Sequence, residues 1–212
     1  MDALLQNSAL ILGIVNGLFL LRFYYRDRPR LRVTPVHPET YQWWFKLPDG
    51  EMAGAPTRRW GFLLYVGASN SGLRPTTLDE WRLEVRPKNL KRSRLTALSI
   101  SEPEAWLGEM KKIYPVLGTR GLAHEGTTRL EPGGSIAGMV YYVYECYGDE
   151  EWDPKTESET IRVKLLVREV FGRRVRCKID CRERNLDEIE EMVPGISTID
   201  LSHRSHPSVT TD

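Results

Sequence analysis

The pattern of apolar and polar positions changes character once along this chain. From Ala3 to Leu21, nineteen consecutive residues carry no charge. The apolar members of that run (Leu4, Leu5, Leu10, Ile11, Leu12, Ile14, Val15, Leu18, Phe19, Leu20 and Leu21) are spread around a helix rather than gathered on one stripe, the distribution a lipid-facing span requires. At about 1.5 Å per residue, a helix of this length covers roughly the hydrocarbon core of a bilayer. From Leu31 onward the period shortens to alternation. Trp60, Phe62, Leu64 and Val66 interleave with Gly61, Leu63 and Tyr65, and both sets are apolar, which predicts a central strand buried on both faces. Trp81, Leu83 and Val85 alternate with Glu80, Arg82, Glu84 and Arg86, which predicts a strand with one wet face. Leu95, Ala97 and Leu98 begin a less regular one.

The turn Pro132-Gly133-Gly134 leads into a Val- and Tyr-rich run from Ile136 to Tyr144, the composition strands favour. Ile161, Val163, Leu165 and Val167, then Phe171-Gly172-Arg173, then Val175, Cys177, Ile179 and Cys181 read as an antiparallel hairpin. Two short helices are expected between and after the strands. Ser101 and Glu104 have the spacing of a capping box, with Trp106, Met110 and Ile113 on one face until Pro115. Asn185 is placed to cap a second helix, with Leu186, Ile189 and Val193 on one side and Glu190 and Glu191 on the other.

Strands with turn signals between them favour two packed antiparallel sheets. The run Val66-Gly67-Ala68-Ser69-Asn70-Ser71-Gly72-Leu73-Arg74-Pro75-Thr76-Thr77-Leu78 resembles the B-to-C corner of immunoglobulin-like sandwich domains. Leu130-Glu131-Pro132-Gly133-Gly134-Ser135 resembles their E-strand entry, and Val170-Phe171-Gly172-Arg173-Arg174 their F–G turn. The resemblance covers residues 60 to 181 and implies a mainly β fold, an immunoglobulin-like antiparallel β-sandwich with two short helices, preceded by one N-terminal transmembrane helix. Two features depart from the pattern. No cysteine lies between Trp60 and Val66, so the inter-sheet disulfide of antibody domains is missing, and the helix expected at 102–114 is an insertion. The implied organisation is a transmembrane helix at 3–25, a basic juxtamembrane segment and irregular entry at 26–58, a β-sandwich at 59–201 and a disordered tail at 202–212.

Charge adds a direction. Arg22, Arg26, Arg28, Arg30 and Arg32 follow the apolar run with one acid, Asp27, whereas Asp2 precedes it. Arginine and lysine are retained on the cytoplasmic side of a span, so the N-terminus is expected outside and residues 26–212 in the cytoplasm, in a single-pass cell-membrane protein. The same arginines suit anionic headgroups, and Tyr24 and Tyr25 suit the interface. The competing reading, a cleaved signal peptide, lacks a basic start and small residues at a cleavage site. Ala9, Gly13 and Gly17 form a small-residue stripe with Asn16 close to the same face, a candidate surface for helix self-association and hence for a homo-oligomer. The alternative is that the glycines face lipid.

The rest of the chain has a net charge of little consequence, since the whole carries only +1. Its charges are nonetheless clustered: residues 82–94 are basic and 149–159 acidic. Lys88, Lys91 and Arg92, with Trp43 and Trp44, are candidate partner-binding residues. Three consecutive aromatics, Trp43-Trp44-Phe45, cannot all enter one core from a regular strand, leaving the membrane surface, a partner contact or an irregular packed edge as their destination. The basic stretch lacks the interleaved aromatics of a single-strand binder, which argues against nucleic acid.

The three cysteines, Cys146, Cys177 and Cys181, do not make a disulfide framework. The spacing of Cys177 and Cys181 is that of two core positions on a strand rather than a zinc or redox pair. His37, His124, His203 and His206 are scattered without metal-ligand spacing. No phosphate loop, dinucleotide fingerprint or nucleophile elbow occurs, and no cofactor or catalytic residue is indicated. The acidic run Asp149-Glu150-Glu151 with Asp153 lacks the spacing of a calcium loop. The sequence therefore implies a non-enzymatic, membrane-anchored module that binds a protein partner or the membrane surface. The alternatives are a membrane-tethered hydrolase with a fold-assembled site, such as His124 with an acid, or an exported sandwich in adhesion or assembly.

Overall fold

The computed structural model describes residues 2–52, 54–89, 92–98, 100, 103–107, 110–117 and 129–199, without the side chains of 2–9, 52 and 104–113. It shows a mainly β protein with a large mixed sheet and two helices. Helix α1 (Asp2–Asp27) comes first. Strands β1 (Leu31–Pro35), β2 (Gln42–Met52), β3 (Ala55–Asn70), β4 (Thr76–Val85) and β5 (Ser93–Thr96) follow. Then come β6 (Glu104–Leu107), β7 (Met110–Ile113), β8 (Arg129–Leu130), β9 (Ser135–Cys146) and β10 (Thr156–Glu157). The hairpin of β11 (Thr160–Glu169) and β12 (Arg174–Glu183) and helix α2 (Leu186–Met192) complete the order.

The sixteen-residue β3 organises one half of the sheet. β9 pairs antiparallel along one edge, from Arg58↔Cys146 to Ser69↔Ser135. The other edge is shared by β2, from Gln42↔Leu64 to Met52↔Ala55, and β1, from Leu31↔Asn70 to Pro35↔Val66. In the other half, β11 lies between β12 and β4, and β4 also takes β5. The halves join through a short parallel pair, Arg182↔Trp43 and Glu183↔Trp44, and through the bridge Leu98↔Tyr141.

Alternation explains where the core sits. Trp60, Phe62, Leu64 and Val66 of β3 share one buried cluster with Tyr142 and Tyr144 of β9, Trp81, Leu83 and Val85 of β4, and Val163 and Leu165 of β11. The opposite face of β3 contributes Leu63 to a second cluster with Trp43, Phe45, Met139, Tyr141 and Val143, covered by Ile189, Val193 and Ile196 from α2 and the turn after it. β3 is thus buried on both faces, as its two apolar phases require. The same logic resolves the aromatic triplet. From Gln42 to Leu47 β2 keeps an unbroken register with β3 and has a core on each side: Trp44 enters the first cluster, Trp43 and Phe45 the second. Phe45 stacks on Tyr141 at 6.2 Å. Gly61 makes room for its ring, because a β-carbon there would overlap Phe45 Cε2 and Cζ.

The hairpin expected at 161–181 is present in register, from Thr160↔Arg182 to Arg168↔Arg174. The Asn185-capped helix is also present, the Asn185 side chain accepting from the Asp187 N–H at 3.2 Å. The helix expected over 102–114 is not. Residues 104–107 and 110–113 instead form an antiparallel pair, Glu104↔Ile113 to Leu107↔Met110. The capping-box reading neglected Gly108, which in a helix interior costs about 1 kcal/mol relative to Ala; Ser101 lies outside the described residues.

The span expected at 3–25 falls within α1. The described side chains of this helix begin at Leu10 and extend past Arg22 and Arg26. Among the described residues, no helix is long and apolar enough to cross a membrane. The helix is therefore observed, and a crossing is not.

Candidate functional site: the seat of the N-terminal helix

Chain direction places the exit of α1 beside the corner between β3 and β4. Asn70, the last residue of β3, is only 1% exposed, and its amide is fully engaged. Its Oδ1 accepts from the Arg30 N–H at 3.1 Å and the Gly72 N–H at 3.0 Å. Its Nδ2 donates to the carbonyls of Arg74 at 2.7 Å and Leu130 at 3.3 Å. The Ser71 N–H donates to the Arg30 carbonyl at 3.0 Å. Gly72 brings this corner against the segment leaving α1: a β-carbon there would overlap the Arg28 carbonyl and lie 2.6 Å from Arg30 N. From the hairpin side, Arg173 Nη1 donates to the Pro29 carbonyl at 3.1 Å. Residues 28–30 are thus clamped between two turns of the domain, and the helix leaves from a defined point.

The arginines expected to meet a membrane surface lie around this seat. Arg22, Arg26, Arg28, Arg30 and Arg32 are all exposed. Arg28 lies over the rings of Tyr24 and Tyr25, 4.3 and 4.6 Å from their centroids, and Arg26 lies 3.6 Å from Asp27. On α1 itself, Leu12 and Leu20 are 64% and 70% exposed. Gly13 and Gly17 have no neighbour within 4 Å of an added β-carbon, and Asn16 is exposed. The Ala9 side chain lies outside the description.

The candidate partner residues are placed differently. Trp43 and Trp44 are buried, each 7% exposed, and the Trp44 indole donates to the Glu159 carbonyl at 2.9 Å. Lys88 and Arg92 belong to the end of the domain opposite α1, where the basic and acidic stretches meet each other. Lys88 Nζ is 3.9 Å from carboxylate oxygens of both Glu150 and Asp153, and its N–H donates to the Asp153 carbonyl at 3.0 Å. Arg92, Arg94 and Lys164 surround Glu84 at 3.8, 3.3 and 3.7 Å. Lys91 lies outside the described residues.

Arg58 ties this end together. It donates to Asp153 Oδ1 at 2.8 Å and to the carbonyls of Gly148 and Asp149 at 2.7 and 2.9 Å. The hydrogen bond to Asp153 pushes its guanidinium pKa up further. Desolvation pushes the neighbouring Cys146 thiol up to about 11. Tyr144, whose hydroxyl donates to the Trp152 carbonyl at 2.6 Å, is pushed up to about 12, also by desolvation.

A surface cavity of about 640 Å³ lies over the outer face of β11 and β12, lined by Arg86, Lys155, Glu157, Arg162, Lys178 and Asp180 among others. Two ion pairs lie within it, Arg162 with Asp180 at 2.6 Å and Lys155 with Glu157 at 2.7 Å. Its lining contains no cysteine or histidine. His37 is exposed and packs edge-on to Tyr41 at 5.7 Å, whereas His124, His203 and His206 lie outside the described residues. Among the described residues no cluster of His, Cys, Asp and Glu could hold a metal ion. Cys146 and Cys181 are buried and Cys177 is half-buried, all as free thiols; burial pushes Cys181 strongly upward.

Sequence reasoning read Asn70-Ser71-Gly72 as a turn and missed that it is the seat of α1. The buried amide was the available signal, but its partners lie up to 60 residues away. It also missed the aromatic group of Tyr41, Tyr65 and Tyr114, in which the Tyr114 hydroxyl donates to Tyr41 at 3.2 Å. That hydrogen bond, with burial, pushes Tyr114 up to about 12.

No family model matches the chain, and no curated protein is similar to it at a significant level. Among solved structures, it is similar to the Northeast Structural Genomics Consortium target SoR45, with 10% identity over 85% of this chain and 98% of that one and a TM-score of 0.31. It is also similar to a Bordetella pertussis protein provisionally named ApaA, with 12% identity over 74% of this chain and 96% of that one and a TM-score of 0.29.

Proposed function

We propose that this protein is a membrane-anchored β module, held to the lipid by α1 and presenting its β domain at the membrane surface to a protein partner or to the lipid itself. The observation that carries the reading is the uncovered apolar helix on a fixed seat. Residues 3–21 are uncharged, the side chains described from Leu10 onward are exposed, and arginines follow directly. An apolar surface of this kind, left bare in water, is costly in proportion to its area, and a hydrocarbon layer removes that cost. The arginine excess after the helix favours a cytoplasmic β domain, and free thiols suit a reducing compartment.

We read the β domain as an immunoglobulin-like sandwich. Support comes from one buried cluster shared by β3 and β9 with β4 and β11, strands from different halves of the sheet, and from the positions of the three corner motifs. Function then follows from confinement: a tether holds the domain in a thin layer where weak contacts become effective.

The test is flotation of the full-length chain with phosphatidylcholine vesicles, alongside Leu12→Arg, which puts a guanidinium in mid-helix at a cost of about 2.5–3.5 kcal/mol for insertion. The wild type floats and the variant is depleted from the lipid fraction. Wild-type protein remaining at the bottom of the gradient would end the proposal.

A further inference from the structure

Outside α1, the described residues include five large apolar side chains that stay exposed: Leu73, Tyr147, Trp152, Val170 and Phe171. Three of them gather at the α1 end. Leu73, 56% exposed, follows Gly72, which packs on the backbone of residues 28–30. Val170 and Phe171, 53% and 71% exposed, form the turn between β11 and β12, and that turn reaches Pro29 through Arg173.

This turn is held in place. The Val170 N–H donates to the Thr77 carbonyl at 3.0 Å, the Gly172 N–H to the Glu169 carbonyl at 2.8 Å and the Glu169 N–H to the Arg173 carbonyl at 3.0 Å. Glu169 is itself buried, accepting from the Thr76 hydroxyl at 2.9 Å. A phenyl ring carried outward on so constrained a turn is displayed, not frayed.

Cations outnumber acids around these side chains, and the acids there are already engaged: Asp27 by Arg26, Asp79 by Arg168 and Glu169 by Thr76. Arg28, Arg30, Arg74, Arg173 and Arg174 are exposed at this end, and among the described residues no carboxylate lies within ion-pair distance of any of them. The nearby Glu131 is held by Arg129 at 2.7 Å. An apolar tip ringed by cations that no described carboxylate neutralises matches an anionic headgroup layer, where the ring enters the acyl boundary and guanidinium groups meet phosphate and carboxylate.

We propose that this end of the domain (Leu73, Val170 and Phe171, with Arg74, Arg173 and Arg174) is a second, direct contact with an anionic lipid surface, fixing the domain upright on the membrane. The inference rests on the anchoring by α1 proposed above. Continuity selects the occupant: the patch surrounds the point where the chain leaves an apolar helix, so the surface receiving the helix also faces the patch.

The experiment uses the full-length chain with Ser71→Cys as a reporter beside the patch and, in a separate protein, Tyr147→Cys at the far end of β9. Each is reconstituted in phosphatidylcholine vesicles with or without phosphatidylserine. Alkylation by a water-soluble maleimide is followed by mass spectrometry, which separates the reporters from the native thiols. Including phosphatidylserine slows Ser71→Cys roughly tenfold, the effect of one or two arginine–headgroup contacts, and leaves Tyr147→Cys unchanged. Adding Leu73→Ser and Phe171→Ser restores the rate. Equal rates for Ser71→Cys in both vesicles, with the protein still floating, overturn this inference and leave the anchor intact; failure to float overturns both. Amide exchange of wild-type residues 71–75 and 170–174 in the same vesicles reads the same contact without substitutions: slowing by phosphatidylserine supports it, and unchanged exchange contradicts it.

Discussion

At the end of the β domain away from α1, Lys88 faces Glu150 and Asp153, three cations surround Glu84, and Arg58 closes on Asp153 and the loop carbonyls beside it. At the α1 end, Arg74, Arg173 and Arg174 have no such partners among the described residues, and Leu73 and Phe171 stand exposed among them. The two ends are separated by β9, whose twelve residues span about 40 Å. Each carries a cluster of cations. One pairs Arg58, Lys88, Arg92 and Arg94 with acids of the same chain, while the other, among the described residues, leaves Arg74, Arg173 and Arg174 without a carboxylate partner beside exposed apolar side chains. A cation count therefore does not tell the two ends apart; what remains after internal pairing does. Lys88 and Arg92, two of the candidate partner-binding residues, belong to the end where acids face the cations.

A packed β body holds the two ends apart, and the largest effects concern that body. Phe45→Ala removes a fully buried ring stacked on Tyr141, and we expect a loss of about 3–5 kcal/mol in urea unfolding followed by tryptophan fluorescence. A loss below 1 kcal/mol would mean that the β2 face is not packed as described. Next in size is Asn70→Ala. It strands the N–H groups of Arg30 and Gly72 and two carbonyls, for about 3 kcal/mol, and it should raise amide exchange at Arg30 and Gly72 above that of the β11–β12 hairpin. Uniform exchange would show that residues 28–30 are not seated by this corner.

Smaller effects separate the ends themselves. Arg58→Met removes one partly buried cation and leaves Asp153 with Lys88 and the Cys146 thiol, so we expect about 1–2 kcal/mol in the same unfolding assay. The variant should bind anionic vesicles as the wild type does; weakened binding would place the lipid contact at the wrong end. Smallest of all on stability, Leu73→Ser with Phe171→Ser lies within about 0.5 kcal/mol of wild type, because both side chains are already in solvent. Destabilisation well beyond that would make them structural and remove the contrast between the ends.

Much of the β domain was legible where a strand has one dominant period. The alternation of Trp81, Leu83 and Val85, the double apolar phase of residues 60–66 and the 161–181 hairpin translate into burial, with Tyr65, Val175 and Cys177 only half-buried. Asn185 likewise marked α2 through local chemistry. Residues 104–113 were misread because Ser101 and Glu104 satisfy a capping motif, and Trp106 and Met110 satisfy helical spacing, while two four-residue strands are too short to show a period. Trp43-Trp44-Phe45 looked irregular because a strand with a core on both sides has no wet phase to reveal its alternation. The seat of α1 and the pairing of the basic stretch with the acidic loop depend on contacts such as Asn70 to Leu130 and Arg58 to Asp153, separated by 60 and 95 residues, and local pattern holds no record of them.

The central claim, that α1 lies in lipid and carries the β domain with it, is tested most directly by extracting membranes from cells producing the full-length chain with alkaline carbonate. The account predicts that the protein stays with the lipid pellet and is released only by detergent. Release of the intact chain into the carbonate supernatant would contradict it.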